Sequence, residues 1–198
     1  MAAMTGDAPL KAAVIYGSVR SERQGIKAAR FMTGELTRRG WEATLVDPKD
    51  SYLPLLDRMY KELRDDAPQT LKDLAALYRG VDAFVIVSGE YNHSIPPALS
   101  NLLDHFLEEY FWRPSAIVCY SAGAFGGVRA AMQLRMMLGE LGMPSIPSIL
   151  PFPRVASAFK DDGNLSDAGY ASRVDRFIAE LAWFAQALRR QRAGGVPY

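Results

Sequence analysis

Residues 83–94 read AFVIVSGEYNHS, and the fold prediction starts from this stretch. Its first five residues are continuously apolar, which is typical of a strand buried on both faces of a parallel sheet. Similar short runs occur at 12–16, 43–46 and 116–120. The sequence therefore predicts four buried strands. The polar stretches that follow three of them are predicted to form loops at one end of the sheet.

Segments with helical spacing alternate with these strands. One of them ends at Gly40, a residue type that commonly follows the last turn of a helix. Another begins with Ser94 as the predicted N-cap and has two prolines in its first turn. The predicted helices cover 25–39, 68–79, 94–106, 128–141 and the segment after Ser166.

A fifth strand candidate, residues 145–150, contains Pro147. Proline cannot donate a hydrogen bond within a sheet, so this strand is expected at an edge. Strands that alternate with helices form a parallel sheet covered on both faces. The order 2-1-3-4-5 places strand five at an edge and brings the loops after strands 1, 3 and 4 together in a crevice. We therefore expect an α/β fold with a doubly wound, five-stranded parallel sheet in a single domain.

The composition limits the class of protein. The chain has 198 residues, 49% of them apolar, and a formal net charge of +1, which fits one folded domain and excludes a disordered chain. With 23 basic and 22 acidic residues, it lacks the positive excess on which nucleic-acid binding usually rests. No apolar run reaches the ~20 residues of a membrane span and no signal-peptide pattern opens the chain, so we expect no membrane partner and a cytoplasmic location. The expected domain covers 11–188, between flexible tails at 1–10 and 189–198.

The loop after strand 1, GSVRSERQG at 17–25, has groups that suit a phosphate. The Ser18 hydroxyl can donate a hydrogen bond, and the Arg20 guanidinium carries a positive charge and can donate two parallel hydrogen bonds. The loop contains neither Gly-Lys-Ser/Thr nor G-x-G-x-x-G, so it is not a standard nucleotide motif, and a polar loop that binds nothing is the alternative. The backbone N–H groups that would point out of the following helix start belong to Gln24, Gly25 and Ile26.

The loops after strands 3 and 4 suit a flat ring. Glu90, Tyr91 and Asn92 combine an aromatic face with amide and carbonyl groups. The third loop, SAGAFGG at 121–127, has three glycines within five positions, so its backbone can approach a ligand closely. The alternatives are a rim tyrosine with a turn asparagine in the second loop and a flexible connection in the third. Together the three loops predict a site for a nucleotide with a flat ring.

These motifs resemble those of the NAD(P)H-dependent FMN reductases, which have the flavodoxin-like fold. GSVR at 17–20 is similar to that family's GSxR loop, and EYN at 90–92 is similar to its PEYN loop. The glycine-rich stretch 121–127 is similar to its third loop. The resemblance covers residues 10–188. One departure is Gly89, where the family usually has proline.

The resemblance implies a specific arrangement of the cofactor. The phosphate of FMN would lie at Ser18, Arg20 and the start of the first helix. Its isoalloxazine would lie between residues 90–92 and the third loop. Arg23 and Arg113 are candidates for contact with the 2′-phosphate of NADPH. The residues of the third loop that would contact the ring are Ser121, Ala122 and Gly123.

The activity that the resemblance implies is hydride transfer from NADH or NADPH to bound flavin, followed by reduction of an acceptor. The acceptor could be free flavin, a quinone, an azo compound or a metal ion. No catalytic acid or base is named, because the cofactor supplies the chemistry. Two alternatives are an FMN-binding electron carrier that does not oxidise a nicotinamide and a regulatory module that binds a nucleotide without turnover. A net charge of +1 disfavours the carrier, since such proteins tend to be strongly acidic.

The other residues with reactive side chains are expected to have structural rather than catalytic roles. The two histidines, His93 and His105, have no ligand-type spacing, so no metal site is expected. Cys119 is expected to be a buried thiol, with a redox-sensitive residue near the flavin as the alternative. Ser121 with a histidine and Asp104 would make a hydrolase triad, but the first glycine of the G-x-S-x-G elbow is missing.

The helix at 128–141 is apolar on nearly all sides and contains Met132, Met136 and Met137. Because a surface helix with one buried face should not have this pattern, we expect a contact with another subunit. The expected assembly is a homodimer or a homotetramer, with the helices at 94–106 and 128–141 in the contact; core packing is the alternative. Residues 54–66 have a mixed pattern that predicts no defined element.

Overall fold

The computed structural model describes residues 8–198 and contains a five-stranded parallel sheet. The strand order β2-β1-β3-β4-β5 confirms the predicted flavodoxin-like topology, with β3 in the centre. Each predicted strand is present, and each is longer than predicted by one or two residues. The strands are β1 Lys11–Tyr16, β2 Glu42–Val46, β3 Ala83–Gly89, β4 Ser115–Tyr120 and β5 Ser145–Phe152.

Helices cover both faces of this sheet. One core contains α1 and α7, and the other contains α3, α4 and α5. All seven residues of β3 are buried, and Val85 and Ile86 point into different cores. This two-sided burial explains why its apolar run is continuous. The helices are α1 Ile26–Arg38, α2 Tyr60–Leu63, α3 Gln69–Gly80, α4 Pro97–Asp104, α5 Val128–Glu140, α6 Val155–Ala158 and α7 Ala171–Ala193.

The edge strand β5 is protected by a proline and an arginine. Pro147 has no N–H to offer to another strand. Arg135 on α5 donates from Nη1 to the Ile146 carbonyl at 2.9 Å and from Nη2 to the Pro147 carbonyl at 2.9 Å. Because these carbonyls are already bonded, the edge is a poor template for pairing with another strand.

The start of α4 differs from the prediction. Ser94 is not its N-cap: the helix begins at Pro97, and Pro96 precedes it. The Ser94 hydroxyl donates instead to Oε1 of Gln133 on α5 at 2.8 Å. The reason is a tight turn at 91–94 that directs the serine toward α5 and away from the α4 amides.

The segment 54–66, for which the sequence predicts no element, is attached to α4. Asn101 accepts a hydrogen bond from the Leu56 N–H at 2.9 Å and donates one to the Pro54 carbonyl at 2.8 Å. The Tyr60 N–H donates to the His105 carbonyl at 2.8 Å, at the start of α2. A side chain on a distant helix thus holds this segment, which explains why its local pattern is uninformative.

The C-terminal tail prediction is corrected for residues 189–193, which extend α7 to Ala193. Arg189 and Arg192 each form an ion pair with the buried carboxylate of Asp82 at 3.2 Å. That carboxylate also accepts a hydrogen bond from the Lys11 N–H at 3.0 Å. Residues 1–7 of the predicted N-terminal tail lie outside the described residues. Among residues 8–198, no helix is both long and apolar enough to cross a membrane.

Candidate functional site

A crevice with a volume of about 230 Å³ lies where the loops after β1, β3 and β4 meet. It brings together most of the residues predicted to bind FMN and adds four that were not predicted to do so, among them Arg23, which was a candidate only for the 2′-phosphate of NADPH. Gly25, Ile26, Asn92 and Gly123 are beside the crevice but not in its lining. The predicted residues in the lining are Ser18, Arg20, Gln24, Glu90, Tyr91, Ser121 and Ala122, and the additional ones are Glu22, Arg23, Tyr120 and Val155.

A larger cavity, about 680 Å³, lies at the opposite end of the sheet. Its lining includes Leu10 and Trp41, which directly precede β1 and β2, and Ala8, the first described residue. None of the three loops contributes to it. Since ligands of open parallel sheets bind at the carboxyl ends of the strands, the smaller crevice is the candidate site.

The loop after β1 has hydrogen-bond donors without partners in the fold. Within residues 8–198, the N–H groups of Gln24, Gly25 and Ile26 donate to no protein acceptor. Arg20 is exposed; its guanidinium lies 5.9 Å from the Tyr91 ring centroid, and no carboxylate of the described residues lies within ion-pair distance. A helix start with free N–H groups beside an unpaired guanidinium suits an anion.

Ser18 lies at the bottom of this loop. It is 2% exposed, and its hydroxyl is 2.9 Å from the hydroxyl of Tyr91. This contact connects the first loop to the second across the crevice. It places both hydroxyls at the crevice wall, where a ligand could exchange hydrogen bonds with either of them.

Arg23 is held by Asp47, the residue directly after β2. Its two terminal nitrogens bond both carboxylate oxygens at 2.5 Å, and Nη1 also donates to the Ser18 carbonyl at 3.0 Å. Burial alone would raise the pKa of Asp47, but the bonds from Arg23 outweigh it and the pKa is lowered. The guanidinium therefore braces the loop, and its charge is matched by Asp47.

The two arginines proposed from the sequence for a 2′-phosphate are both committed to structural contacts. Arg23 pairs with Asp47. Arg113 lies at the other end of the sheet, where its Nε donates to the Val81 carbonyl at 2.8 Å and burial lowers its pKa to about 10. Arg113 is therefore remote from the crevice, and the charge of Arg23 is already matched by that of Asp47.

Glu90 connects the second loop to the third. Its carboxylate accepts hydrogen bonds from the N–H groups of Arg129 at 3.1 Å and Ala130 at 3.4 Å, in the first turn of α5. The Arg129 side chain approaches the same carboxylate at 3.3 Å. A carboxylate at a helix N-terminus satisfies free N–H groups and interacts favourably with the helix dipole. The Glu90 side chain thus fixes the start of α5 relative to β3.

The turn after Glu90 presents Tyr91 to the crevice. Tyr91 and Ser94 exchange backbone hydrogen bonds of 3.0 and 2.9 Å, and Asn92 and His93 have φ of 51° and 62°. Positive φ at both central positions defines a type I′ turn, and asparagine tolerates this conformation better than most residues. The turn directs Tyr91 toward Ser18 and leaves Asn92 outside the crevice lining.

The third loop is anchored to the residues after β5. The Arg154 N–H donates to the Gly123 carbonyl at 2.9 Å, and the Val155 N–H donates to the Ser121 carbonyl at 3.1 Å. In the described part of the chain, the N–H groups of Ala122 and Gly123 have no protein acceptor. Ala122 lines the crevice together with Val155, which supplies an apolar wall. The loop can therefore offer backbone hydrogen bonds to the polar edge of a ring.

The other residues with reactive side chains form no catalytic or metal cluster among residues 8–198. Cys119 is fully buried within β4, as predicted, and burial raises the pKa of its thiol to about 12. His105 is 2% exposed, and its Nδ1 lies 2.7 Å from the Asn101 carbonyl. The Ser121 hydroxyl donates to the Gly123 carbonyl at 3.0 Å, so it has no histidine partner among the described residues. Within residues 8–198 there is no cluster of three or more metal-ligating side chains.

Comparison with known proteins gives consistent matches. A family model described as NADPH-dependent FMN reductase matches residues 10–156. A quinone reductase of Pseudomonas putida is 34% identical over 177 residues, covering 84% of this chain and 92% of that protein. An NAD(P)H-dependent FMN reductase of Schizosaccharomyces pombe is 32% identical over 160 residues, covering 76% of this chain and 78% of that protein.

Among solved structures, a flavoenzyme NAD(P)H:(acceptor) oxidoreductase from Paracoccus denitrificans is similar in fold. Its TM-score is 0.74 at 23% identity, and the match covers 91% of this chain and 98% of that chain. At this identity the similarity supports the fold. The family match supports the resemblance that the loop motifs indicate.

Replacing Asp47 with asparagine is expected to lower the free energy of unfolding at neutral pH by about 1–3 kcal/mol, because Arg23 loses its charged partner. The pKa of Asp47 is lower in the folded state than in the unfolded state. Its stabilisation is therefore present above about pH 4, the unfolded value, and is lost as the pH falls through the folded value. Urea denaturation at several pH values should show a shallower acid dependence for Asp47→Asn than for wild type.

Asp73→Asn provides the control, because Asp73 is exposed on α3 and, among residues 8–198, its side chain bonds only Gln69. It should leave the pH dependence unchanged. If Asp47→Asn behaves like this control, the Arg23–Asp47 pair does not brace the loop in solution.

Proposed function

The chain belongs to the NADPH-dependent FMN reductase family and is an NAD(P)H-dependent flavin oxidoreductase, and on this premise we propose that the crevice between its three loops is the FMN site. The observation that carries the proposal is the set of free donors in the loop after β1. A bound phosphate would satisfy donors that the fold leaves without acceptors.

The residues at this end of the crevice fit a phosphate group. Arg20 and the Ser18 hydroxyl lie in the lining, and the N–H groups of residues 24–26 lie beside them. Glu22 is also in the lining, but it is exposed and can remain solvated. We propose that Arg20 supplies the charge and that the helix start supplies the neutral hydrogen bonds.

The other end of the crevice fits the flavin ring. Tyr91 and Val155 offer aromatic and apolar surface, and Ala122 and Gly123 offer free N–H groups. A bound FMN would supply the redox chemistry of the site, namely acceptance of a hydride from the nicotinamide and delivery of the electrons to an acceptor. The chain itself binds and orients the flavin and nicotinamide rings. Glu90 holds the second and third loops in position relative to each other.

For the acceptor we propose a small oxidised compound such as a quinone or free flavin; azo compounds and metal ions are further candidates. The matched relatives from Pseudomonas putida and Schizosaccharomyces pombe are named quinone reductase and FMN reductase. We also propose that the protein works in the cytoplasm, where the lone thiol of Cys119 would stay reduced.

We further propose that the protein forms a homodimer, or a homotetramer built from such dimers, through α4 and α5. Met132 is 48% exposed and Met136 is 72% exposed, both on α5, and Phe125 is 63% exposed just before that helix. Exposed large apolar side chains on one face commonly mark a protein interface. This supports the interpretation of the methionines as contact residues.

The redox function is tested by anaerobic mixing of the FMN-loaded protein with NADPH and, separately, with NADH. Rapid loss of the oxidised-flavin absorbance with at least one nicotinamide is the expected result. Loss of absorbance only with a chemical reductant would support an FMN-binding electron carrier instead and would contradict the proposed reaction.

The phosphate assignment is tested by Arg20→Ala. The variant should bind FMN more weakly by about 1.5–3 kcal/mol, the contribution of a charge-assisted hydrogen bond, while its affinity for riboflavin stays nearly unchanged. Fluorescence titration of both flavins measures this. Arg30→Ala, an exposed arginine on α1 outside the crevice lining, is the matched control. An equal loss for both flavins would show that Arg20 does not contact the phosphate.

The oligomeric proposal is tested by light scattering at micromolar concentration. Wild type should have at least twice the mass of the chain, and Met136→Glu should shift it toward the monomer because a charge at an apolar contact is costly. Trp183→Glu on α7 is the control, since Trp183 is 67% exposed on the opposite face of the sheet. A monomeric wild type would refute the proposal.

A further inference from the structure

Tyr120, the last residue of β4, occupies the space beside Gly25. A Cβ atom added to Gly25 would lie 2.0 Å from Cζ of Tyr120 and 2.4 Å from both Cε atoms. These distances are far shorter than any van der Waals contact, so no side chain fits at position 25 while the ring is there. Gly25 directly precedes α1, and the tip of the tyrosine therefore lies at the N-terminus of this helix.

The same ring also explains Gly89. A Cβ at Gly89 would lie 3.0 Å from Cζ of Tyr120 and 3.1 Å from its hydroxyl oxygen. The similar FMN reductase loops usually have proline at this position, and a proline would crowd the ring. Gly25, Gly89 and Tyr120 thus form one unit, in which two glycines on separate segments make room for one tyrosine.

The Tyr120 hydroxyl is paired with a second buried tyrosine. It donates a hydrogen bond of 3.2 Å to the hydroxyl of Tyr16 at the end of β1, and the two rings are stacked with an interplanar angle of 24°. Each phenol has one proton, and the bond between them uses one of the two. The Ser18 hydroxyl is a further hydrogen-bond neighbour of both phenols. When the bond between the phenols is reversed, so that Tyr16 donates to Tyr120, the Tyr120 proton is left for an acceptor in the crevice.

Both phenols keep their protons at physiological pH. Burial raises the pKa of Tyr120 well above its ordinary value and raises that of Tyr16 as well. Tyr120 lines the crevice together with Ser18 and Arg20, and Ser18 follows Tyr16 by two residues. The pair is thus a neutral donor at the end of the crevice where the free N–H groups of Gly25 and Ile26 lie.

We propose that the Tyr16–Tyr120 hydroxyl pair is a further binding element for FMN, donating a hydrogen bond to the phosphate at the start of α1. The inference rests on the proposed function, because it needs a phosphate in this crevice. It assigns a role to Tyr120 and Tyr16, which neither the loop motifs nor their spacing indicate. It also gives the chain a means of preferring FMN over riboflavin that is independent of Arg20.

The proposal is tested by measuring the dissociation constants of FMN and riboflavin for wild type, Tyr120→Phe, Tyr16→Phe and the double variant. Tyr120→Phe keeps the ring beside Gly25 and removes only the hydroxyl. We expect about a tenfold weaker affinity for FMN, as for loss of a hydrogen bond to a charged group, and riboflavin affinity within about twofold of wild type. Because the two phenols act as one chain of donors, the double variant should bind FMN only slightly more weakly than the more affected of the two single variants.

Tyr110→Phe is the matched control: Tyr110 is also fully buried, but its hydroxyl bonds the Leu103 carbonyl away from the crevice. It should leave both affinities unchanged. Riboflavin binding by the same variants reports that the crevice is intact, and Tyr16→Phe provides the second measurement if Tyr120→Phe binds neither flavin.

The outcomes separate this inference from the function on which it rests. If wild type binds FMN and both Tyr120→Phe and Tyr16→Phe bind it equally well, Tyr120 serves only to fill space and the inference is wrong, while the proposed function stands. If wild type binds no FMN, the proposed function fails and the inference fails with it.

Discussion

Burial of the central strand β3 on both faces is the constraint on which the rest of the structure depends. Its seven residues are all buried, so helices must cover both sides of the sheet. Neighbouring parallel strands then end at the same edge, and the loops after β1, β3 and β4 meet there. The crevice is a consequence of this packing, because no loop could approach the others unless the strands beneath them were in register.

The polar contacts around the crevice have two different tasks. The Arg23–Asp47 pair, the Glu90 carboxylate on α5 and the type I′ turn at 91–94 hold the loops in place. They leave unbonded the groups that suit a ligand, namely Arg20 and the N–H groups of two loops. Charges that are paired inside the fold contribute to its geometry, whereas donors without a partner among residues 8–198 are available to a ligand. The two arginines of this loop differ in this respect, since Arg23 is paired with Asp47 and Arg20 has no carboxylate partner among the described residues.

Much of the fold and part of the site could be predicted from the sequence, because the relevant signals are local. Apolar periodicity predicted the five strands and five of the helices, and Pro147 predicted the edge position of β5. The loop motifs indicated seven residues that line the crevice. Local signals failed where a distant side chain decides the conformation. Ser94 bonds Gln133 on another helix, Asn101 holds the segment 54–66, and Asp82 fixes the basic end of α7.

From the sequence one learns the order of the elements, the three loops that carry polar groups and the family that these motifs resemble, since each is encoded in a short continuous stretch. The tertiary structure alone reveals which side chains are already engaged and which are free. It pairs Arg23 with Asp47, assigns the Glu90 carboxylate to α5 and brings Tyr120 between Gly25 and Gly89. The physical reason is separation along the chain: β4 meets the first loop only after the sheet has formed, and no local pattern records that contact.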